Sequence, residues 1–138
     1  MTTIPTTKTT PMRIFILEDD PERVRWLTNR LIGHDLTIVD SCTKADQFVP
    51  PYDLILFDHD LGGRQLAEHE DCGETFARLI VDRIGDARVI VHSYNFMGAM
   101  HIIGVIGYGT YAPFRGPLFI QLLDEIEAEF NARRRPSP

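Results

Sequence analysis

Apolar residues in this chain come in two kinds of run, short unbroken ones and longer ones at helical spacing, and the two alternate. Arg13-Ile-Phe-Ile-Leu17 is short, continuous and rich in β-formers, the pattern of a strand covered on both faces. Asp20-Pro21-Glu22 then predicts a helix start, with Asp20 as cap and Pro21 in the first helical position. Val24, Leu27 and Leu31 recur at helical spacing until Gly33 supplies the stop. Leu36 to Val39 predicts a second strand, followed by a short helix near Lys44 to Phe48 that Pro50-Pro51 must end. Tyr52 to Phe57 is the third strand. The polar, glycine-rich stretch Gly62 to Asp71 predicts a loop, and a helix follows from Gly73 to Ile84 with Phe76, Leu79 and Ile80 facing inward. Arg88 to Val91 reads as the fourth strand, Met97 to Ile106 as a helix and Tyr108 to Ala112 as a short fifth strand. The last helix opens at Pro117 and carries Leu118, Leu122, Ile126 and Phe130 on one side.

Strict alternation of five strands with five helices predicts an α/β fold: a flavodoxin-like, doubly wound parallel sheet in the order 2-1-3-4-5 with helices on both faces. Residues 12–131 form the expected domain, residues 1–11 a disordered leader and residues 132–138 a flexible tail. In such sheets ligands bind beyond the C-terminal strand ends. That rule points to residues 18–20, 58–60 and 92–95, and all three stretches are polar.

Composition narrows the function classes. A chain of 138 residues with 43% hydrophobic and 25% charged positions suits one globular domain. A net charge of −6 argues against binding duplex DNA, and Arg133 to Arg135 read as a solvated tail. Cys42 and Cys72 make neither a disulfide framework nor a structural zinc spacing. The Thr-rich start lacks the apolar stretch of a signal peptide, and no apolar run is long enough for a bilayer, so a cytoplasmic protein without membrane association is expected.

The first strand ends in Glu18-Asp19-Asp20 and the third in Asp58-His59-Asp60. Read singly, Asp20 serves equally well as a helix cap and Glu18 as a solvated residue. In the predicted strand order, however, these ends are neighbours, and unpaired carboxylates that close raise one another's pKa. A hard divalent cation resolves the conflict, and oxygen-only ligands favour magnesium or manganese. Asp19, Asp20 and Asp58 are the candidate ligands.

The acidic doublet, an Asp ending strand three, a Leu-Gly turn and a Ser ending strand four resemble a response-regulator receiver domain over Met12 to Phe130. The resemblance implies that the doublet acids and Asp58 bind magnesium, that Asp58 also accepts a phosphoryl group, and that the backbone carbonyl of Asp60 completes the protein ligands. It gives Ser93 the contact to phosphoryl oxygens. Receivers place a lysine before a proline after strand five, whereas this chain has Arg115-Gly116-Pro117. Arginine keeps the charge and binds phosphate bidentately, with a different reach.

Two histidines extend the picture. Asp58-His59-Asp60-Leu61-Gly62-Gly63 and His92-Ser93-Tyr94-Asn95-Phe96-Met97-Gly98-Ala99-Met100 resemble the receiver-derived cyclic-phosphate processing domains, with Phe96 where a proline is usual. That resemblance implies a metal-dependent phosphoesterase acting on a cyclic nucleotide or on an RNA terminus with a cyclic phosphate. Its chemistry needs charge neutralisation, an activated water and a proton for the leaving oxygen. A cation held by Asp19, Asp20 and Asp58 supplies the first and part of the second, and His92 or His59 the proton, with Asp58 as the third catalytic candidate. Ser93, Asn95 and Arg115 are the candidate phosphate ligands, and Gly98 permits close backbone approach. Each has a structural alternative: a histidine at a strand end is often a satisfied structural residue, and Asn95 suits a helix cap. Two other functions remain open, a signalling receiver with Asp58 as phosphoacceptor and an output surface on the last helix, or an inactive module that sequesters a cyclic nucleotide.

Overall fold

The computed structural model describes residues 11–66 and 69–133, so the predicted leader apart from Pro11 and residues 134–138 of the predicted tail lie outside the described residues, while Ala132 and Arg133 of that tail end a helix. In chain order the elements are β1 (Arg13–Leu17), α1 (Pro21–Arg30), β2 (Asp35–Val39), a 3-10 segment (Cys42–Gln47), β3 (Leu54–Phe57), β4 (Asp60–Leu66), β5 (His69–Cys72), α2 (Gly73–Ile80), β6 (Arg88–Val91), α3 (Phe96–Ile106), β7 (Thr110–Tyr111) and α4 (Pro117–Arg133). Five strands pair in parallel in the order β2-β1-β3-β6-β7, which is 2-1-3-4-5 when the separate β4–β5 pair is left out of the count.

The unbroken apolar strands follow from burial on both faces. Phe15 and Leu17 of β1, Ile55 and Phe57 of β3, and Val89 and Val91 of β6 belong to one core with Phe76, Ile80 and Ile102. The alternate residues Ile14, Ile16, Leu54, Leu56 and Ile90 belong to a second core with Leu27 of α1 and Phe119, Leu123 and Ile126 of α4. Period-two alternation sends successive side chains to opposite faces, so α2 and α3 cover one side and α1 and α4 the other. Each fully buried Leu, Ile or Phe contributes about 1.5–3 kcal/mol of transfer free energy. In register, Leu17 pairs with Phe57, and Phe57 with Val91. The three polar stretches that follow these residues therefore emerge side by side at one edge.

Several local expectations are corrected. Among the described residues there are four α-helices, because the link between β2 and β3 is a 3-10 segment. Ser41 opens it by accepting from the Thr43 amide, and too few residues remain before Pro50 for a full α-helix. The expected loop from Gly62 to Asp71 contains most of an antiparallel pair, β4 and β5, whose register shifts between Asp60 and Gln65. That shift breaks the alternation by which a strand would be recognised in sequence. Helix α2 ends at Ile80 and buries Phe76, Ala77 and Ile80, which leaves Leu79 exposed. Helix α4 buries Phe119, Leu123 and Ile126, so its core stripe lies one residue along from Leu118, which is exposed.

The β4–β5 pair is anchored to the 3-10 segment through Asp71, which is completely buried. Its carboxylate accepts from Ser41 Oγ at 2.7 Å and from the Cys42 amide at 2.9 Å. Burial, and then this carboxylate, push the neighbouring Cys42 thiol up to about 12. Replacing Asp71 by Ala strands a buried hydroxyl and a buried amide, and the expected loss is about 2–3 kcal/mol of unfolding free energy. Chemical denaturation of Asp71→Ala checks this, and an unchanged midpoint would contradict the anchoring role.

Candidate metal and phosphate site

Glu18 is the residue on which the strand ends converge. It follows the last residue of β1, is almost completely buried, and is not the solvated residue that its position suggested. Its Oε2 accepts from the amides of Asp19 at 3.0 Å and Asp20 at 3.1 Å. Its Oε1 lies 3.0 Å from His92 Nε2 and 3.6 Å from an Arg23 guanidinium nitrogen. Burial raises its pKa in spite of these partners. Asp58, immediately after β3, is also buried, and its Oδ1 accepts from the His59 amide at 2.9 Å. Burial first, and the Glu18 charge second, push Asp58 up from 3.8 to about 7.

Together these residues wall a cavity of about 220 Å³ lined by Glu18, Asp19, Asp20, Arg23, Asp58, Asp60, Ser93 and Tyr94. Asp19 is exposed at the opening, with its carboxyl raised by partial burial and a carboxylate oxygen 3.7 Å from where a Cβ on Gly62 would stand. Asp60 belongs to the same lining. Its pKa is lowered, first by the hydrogen bond with His59, whose Nδ1 stands 2.8 Å away. Asp20 is the α1 cap: its Oδ1 accepts from the Glu22 and Arg23 amides. Apart from the Arg23 guanidinium, the polar side-chain atoms on these walls are oxygens, and burial raises the pKa of the Glu18, Asp19 and Asp58 carboxyls. This set fits a hard divalent cation.

The remaining predicted site residues divide. Ser93 lies on the cavity wall, and its Oγ accepts from the Asn95 amide at 3.0 Å. Asn95 caps α3 by accepting from the Gly98 amide at 2.9 Å, while its amide nitrogen reaches Asp60 Oδ1 at 3.2 Å. Gly98 is indeed a site of close approach, but to the His59 ring: a Cβ there would stand 2.4 Å from the imidazole. Arg115 is outside the acidic cavity, on an adjoining groove of about 680 Å³, with a positive φ of 61°.

His92 is placed differently from the expectation of a proton carrier. It has no solvent exposure and does not line the cavity; it supports Glu18 from beneath, with its ring near Phe114 and Phe119. Burial depresses its pKa to about 4, and Nδ1 has no hydrogen-bond partner among the described residues. One oxygen of Glu18, one of Asp58 and a His92 nitrogen lie within 4.8 Å of one another, all buried.

Arg115 is also not the residue that directly follows the last strand. Strand β7 ends at Tyr111, and Ala112 continues the ladder by donating to the Val91 carbonyl at 3.0 Å. The residue that precedes a proline at this strand end is therefore Ala112, before Pro113, and not Arg115. Among the described residues the cationic side chain lining the acidic cavity is Arg23, which sequence reading missed. A signal was present: Arg23 sits in the first turn of α1, where a positive charge opposes the helix dipole and needs local anions.

No protein-family profile and no curated protein matches this chain. Solved receiver structures are similar to it. The BeF3-activated N-terminal receiver domain of Klebsiella pneumoniae RstA aligns with a TM-score of 0.63 at 19% identity, over 89% of this chain and 99% of that one. The Mn(2+)-bound form of response regulator Rcp1 aligns with a TM-score of 0.61 at 19% identity, over 93% and 99%. The receiver domain of the Pseudomonas aeruginosa sensor histidine kinase PA1611, with a magnesium ion in its active-site cleft, aligns with a TM-score of 0.60 at 19% identity, over 88% and 98%. The chain thus has the flavodoxin-like fold of receiver domains. Among the described residues no helix is long and apolar enough to cross a membrane.

The electrostatics carry a sign that is open to test. A carboxyl whose folded pKa lies above its unfolded value contributes stability below the unfolded pKa and loses it as pH rises through the folded one. Without metal, Asp58 therefore loses stability for the protein between pH 3.8 and about 7. Asp58→Asn carries no such charge, so its stability relative to wild type rises across that window, by at least on the order of 1 kcal/mol. Thermal melts in chelator at several pH values read this out, and a stability difference between Asp58→Asn and wild type that does not grow from acid to pH 8 would contradict it.

Proposed function

We propose that this chain is a receiver domain whose acidic cavity binds magnesium or manganese and takes up a phosphoryl group on Asp58. The observation that carries the reading is the Asp58 carboxylate, placed at the end of β3 in an oxygen-lined cavity and pushed up to about 7 by burial and Glu18. Asp19, Asp58 and the Asp60 carbonyl would hold the cation, which supplies charge neutralisation for the carboxylates and for phosphoryl oxygens. Asp58 then attacks as a carboxylate: its oxygen bonds to phosphorus while the donor's P–O bond breaks, and the donor leaves with that electron pair. Ser93 Oγ faces the cavity as a hydrogen-bonding partner for a phosphoryl oxygen. The similarity to a BeF3-activated, a manganese-bound and a magnesium-bound receiver structure supports the same reading.

A second reading retains a cyclic phosphate, on a nucleotide or an RNA terminus, as substrate. It rests on the rim, where His59 Nδ1 stands 2.8 Å from Asp60 and 3.4 Å from the Asn95 side-chain nitrogen. Proton transfer in that reaction would fall to His59, because His92 is sealed beneath Glu18.

Magnesium at millimolar concentration should raise the melting temperature, since a ligand of the native state alone stabilises by RT ln(1 + [L]/Kd). With acetyl phosphate and magnesium, intact mass should then show one phosphoryl group per chain, absent in Asp58→Asn. A magnesium response without any labelling, accompanied by hydrolysis of a 2′,3′-cyclic nucleotide, would favour the second reading. No magnesium response would count against both.

A further inference from the structure

Arg23 is the one cation among the described residues lining the acidic cavity, and its surroundings are unusual for a structural ion pair. Its guanidinium nitrogens stand 3.6 Å from Glu18, 4.0 Å from Asp58 and 4.0 Å from Asp20. All three distances exceed hydrogen-bonding range, so these carboxylates attract the group without occupying its N–H donors. Aromatic rings fix its position instead. The guanidinium carbon lies 4.6 Å from the centroid of Tyr94 and 5.2 Å from that of Phe114. Both rings are themselves held, since the Tyr94 hydroxyl donates to the Phe114 carbonyl at 3.0 Å and Phe114 packs edge-on against Trp26 of the same helix at 5.3 Å.

Such a guanidinium is preorganised and undersaturated. A planar fork with five donors stacks on aromatic faces and binds phosphate oxygens two at a time. The loop after β7 cannot supply this charge from its strand-end position, because Ala112 is buried and carries only a methyl group. Arg23 also lines the neighbouring groove, so an anion in the cavity and the remainder of its donor would meet at this side chain.

We infer that Arg23, delivered from the first turn of α1 and held by Tyr94 and Phe114, is the anion-binding residue that contacts the phosphoryl oxygens in this cavity. The inference rests on the proposed phosphoryl uptake at Asp58 and adds the residue that recognises the transferred group. Arg23 is an additional binding group of the cavity, not a metal ligand, and its positive charge opposes cation binding there. Removing the charge should therefore separate metal binding from phosphoryl uptake.

The test uses the full chain, with the magnesium-induced melting shift and the rate of Asp58 labelling by acetyl phosphate measured on the same samples. Arg23→Gln should keep a melting shift at least as large as wild type while labelling falls tenfold or more. Tyr94→Ala, at an exposed position where folding is not at stake, should keep the shift and slow labelling by a smaller factor. Arg23→Lys, which keeps the charge without the stacked fork, should fall between Arg23→Gln and wild type. Labelling of Arg23→Gln at the wild-type rate would overturn the inference and leave the receiver reading intact. Loss of the magnesium shift in Arg23→Gln would overturn it by showing a structural role. A wild type that binds magnesium but takes up no phosphoryl group would overturn the inference together with the reading on which it rests.

Discussion

Two carboxylates, Glu18 and Asp58, are forced out of water at the ends of adjacent parallel strands, and the arrangement around the cavity follows from that constraint. The register that pairs Leu17 with Phe57 fixes how close they come. Neither is free to move away, because each strand is buried on both faces. In a medium that solvates charge poorly, like charges at this range are costly unless a proton, a cation or directed dipoles offset them. Dipoles and a cation both appear. The Asp19 and Asp20 amides and the His92 ring serve Glu18, the His59 amide serves Asp58, and Arg23 faces both.

The helices contribute through their first turns. Asp20 opens α1 and at once sets Arg23 three residues on, toward the cavity. Asn95 opens α3 and ties its own cap to Asp60. Gly73 begins α2 where a Cβ would meet the Asp58 carbonyl at 2.1 Å, so the helix can approach the strand end only without a side chain. The cavity is thus bounded by elements that the two hydrophobic cores already hold rigid, the condition under which a few oxygen ligands retain their geometry.

Much of this was legible in the sequence. Unbroken apolar runs identify strands in a sheet covered on both sides, and the strand order brings residues 18–20, 58–60 and 92–95 together before any coordinates are known. What was not legible has physical reasons. Glu18 reads as solvated because its burial depends on partners 40 and 74 residues away, Asp58 and His92. His92 reads as a pocket residue because sequence shows that it ends a strand but not that its ring points beneath Glu18. The β4–β5 pair hides behind a register shift. The two-residue strand β7 is too short to set its own phase, so the position before the proline was matched at Arg115 instead of Ala112. Arg23 is not marked in sequence as a cavity residue, because the rings that hold it, Tyr94 and Phe114, come from distant parts of the chain.

The central claim is that the cavity is an oxygen-lined cation site in which His92 supports Glu18 and stays off the metal. Electron spin-echo spectroscopy of the manganese-loaded protein tests this most directly, because it distinguishes nitrogen from oxygen ligands. One bound manganese with oxygen coordination and no histidine nitrogen coupling is expected, with loss of that signal in Asp58→Asn. A nitrogen coupling that disappears in His92→Ala, or a wild-type protein that binds no manganese, would contradict it.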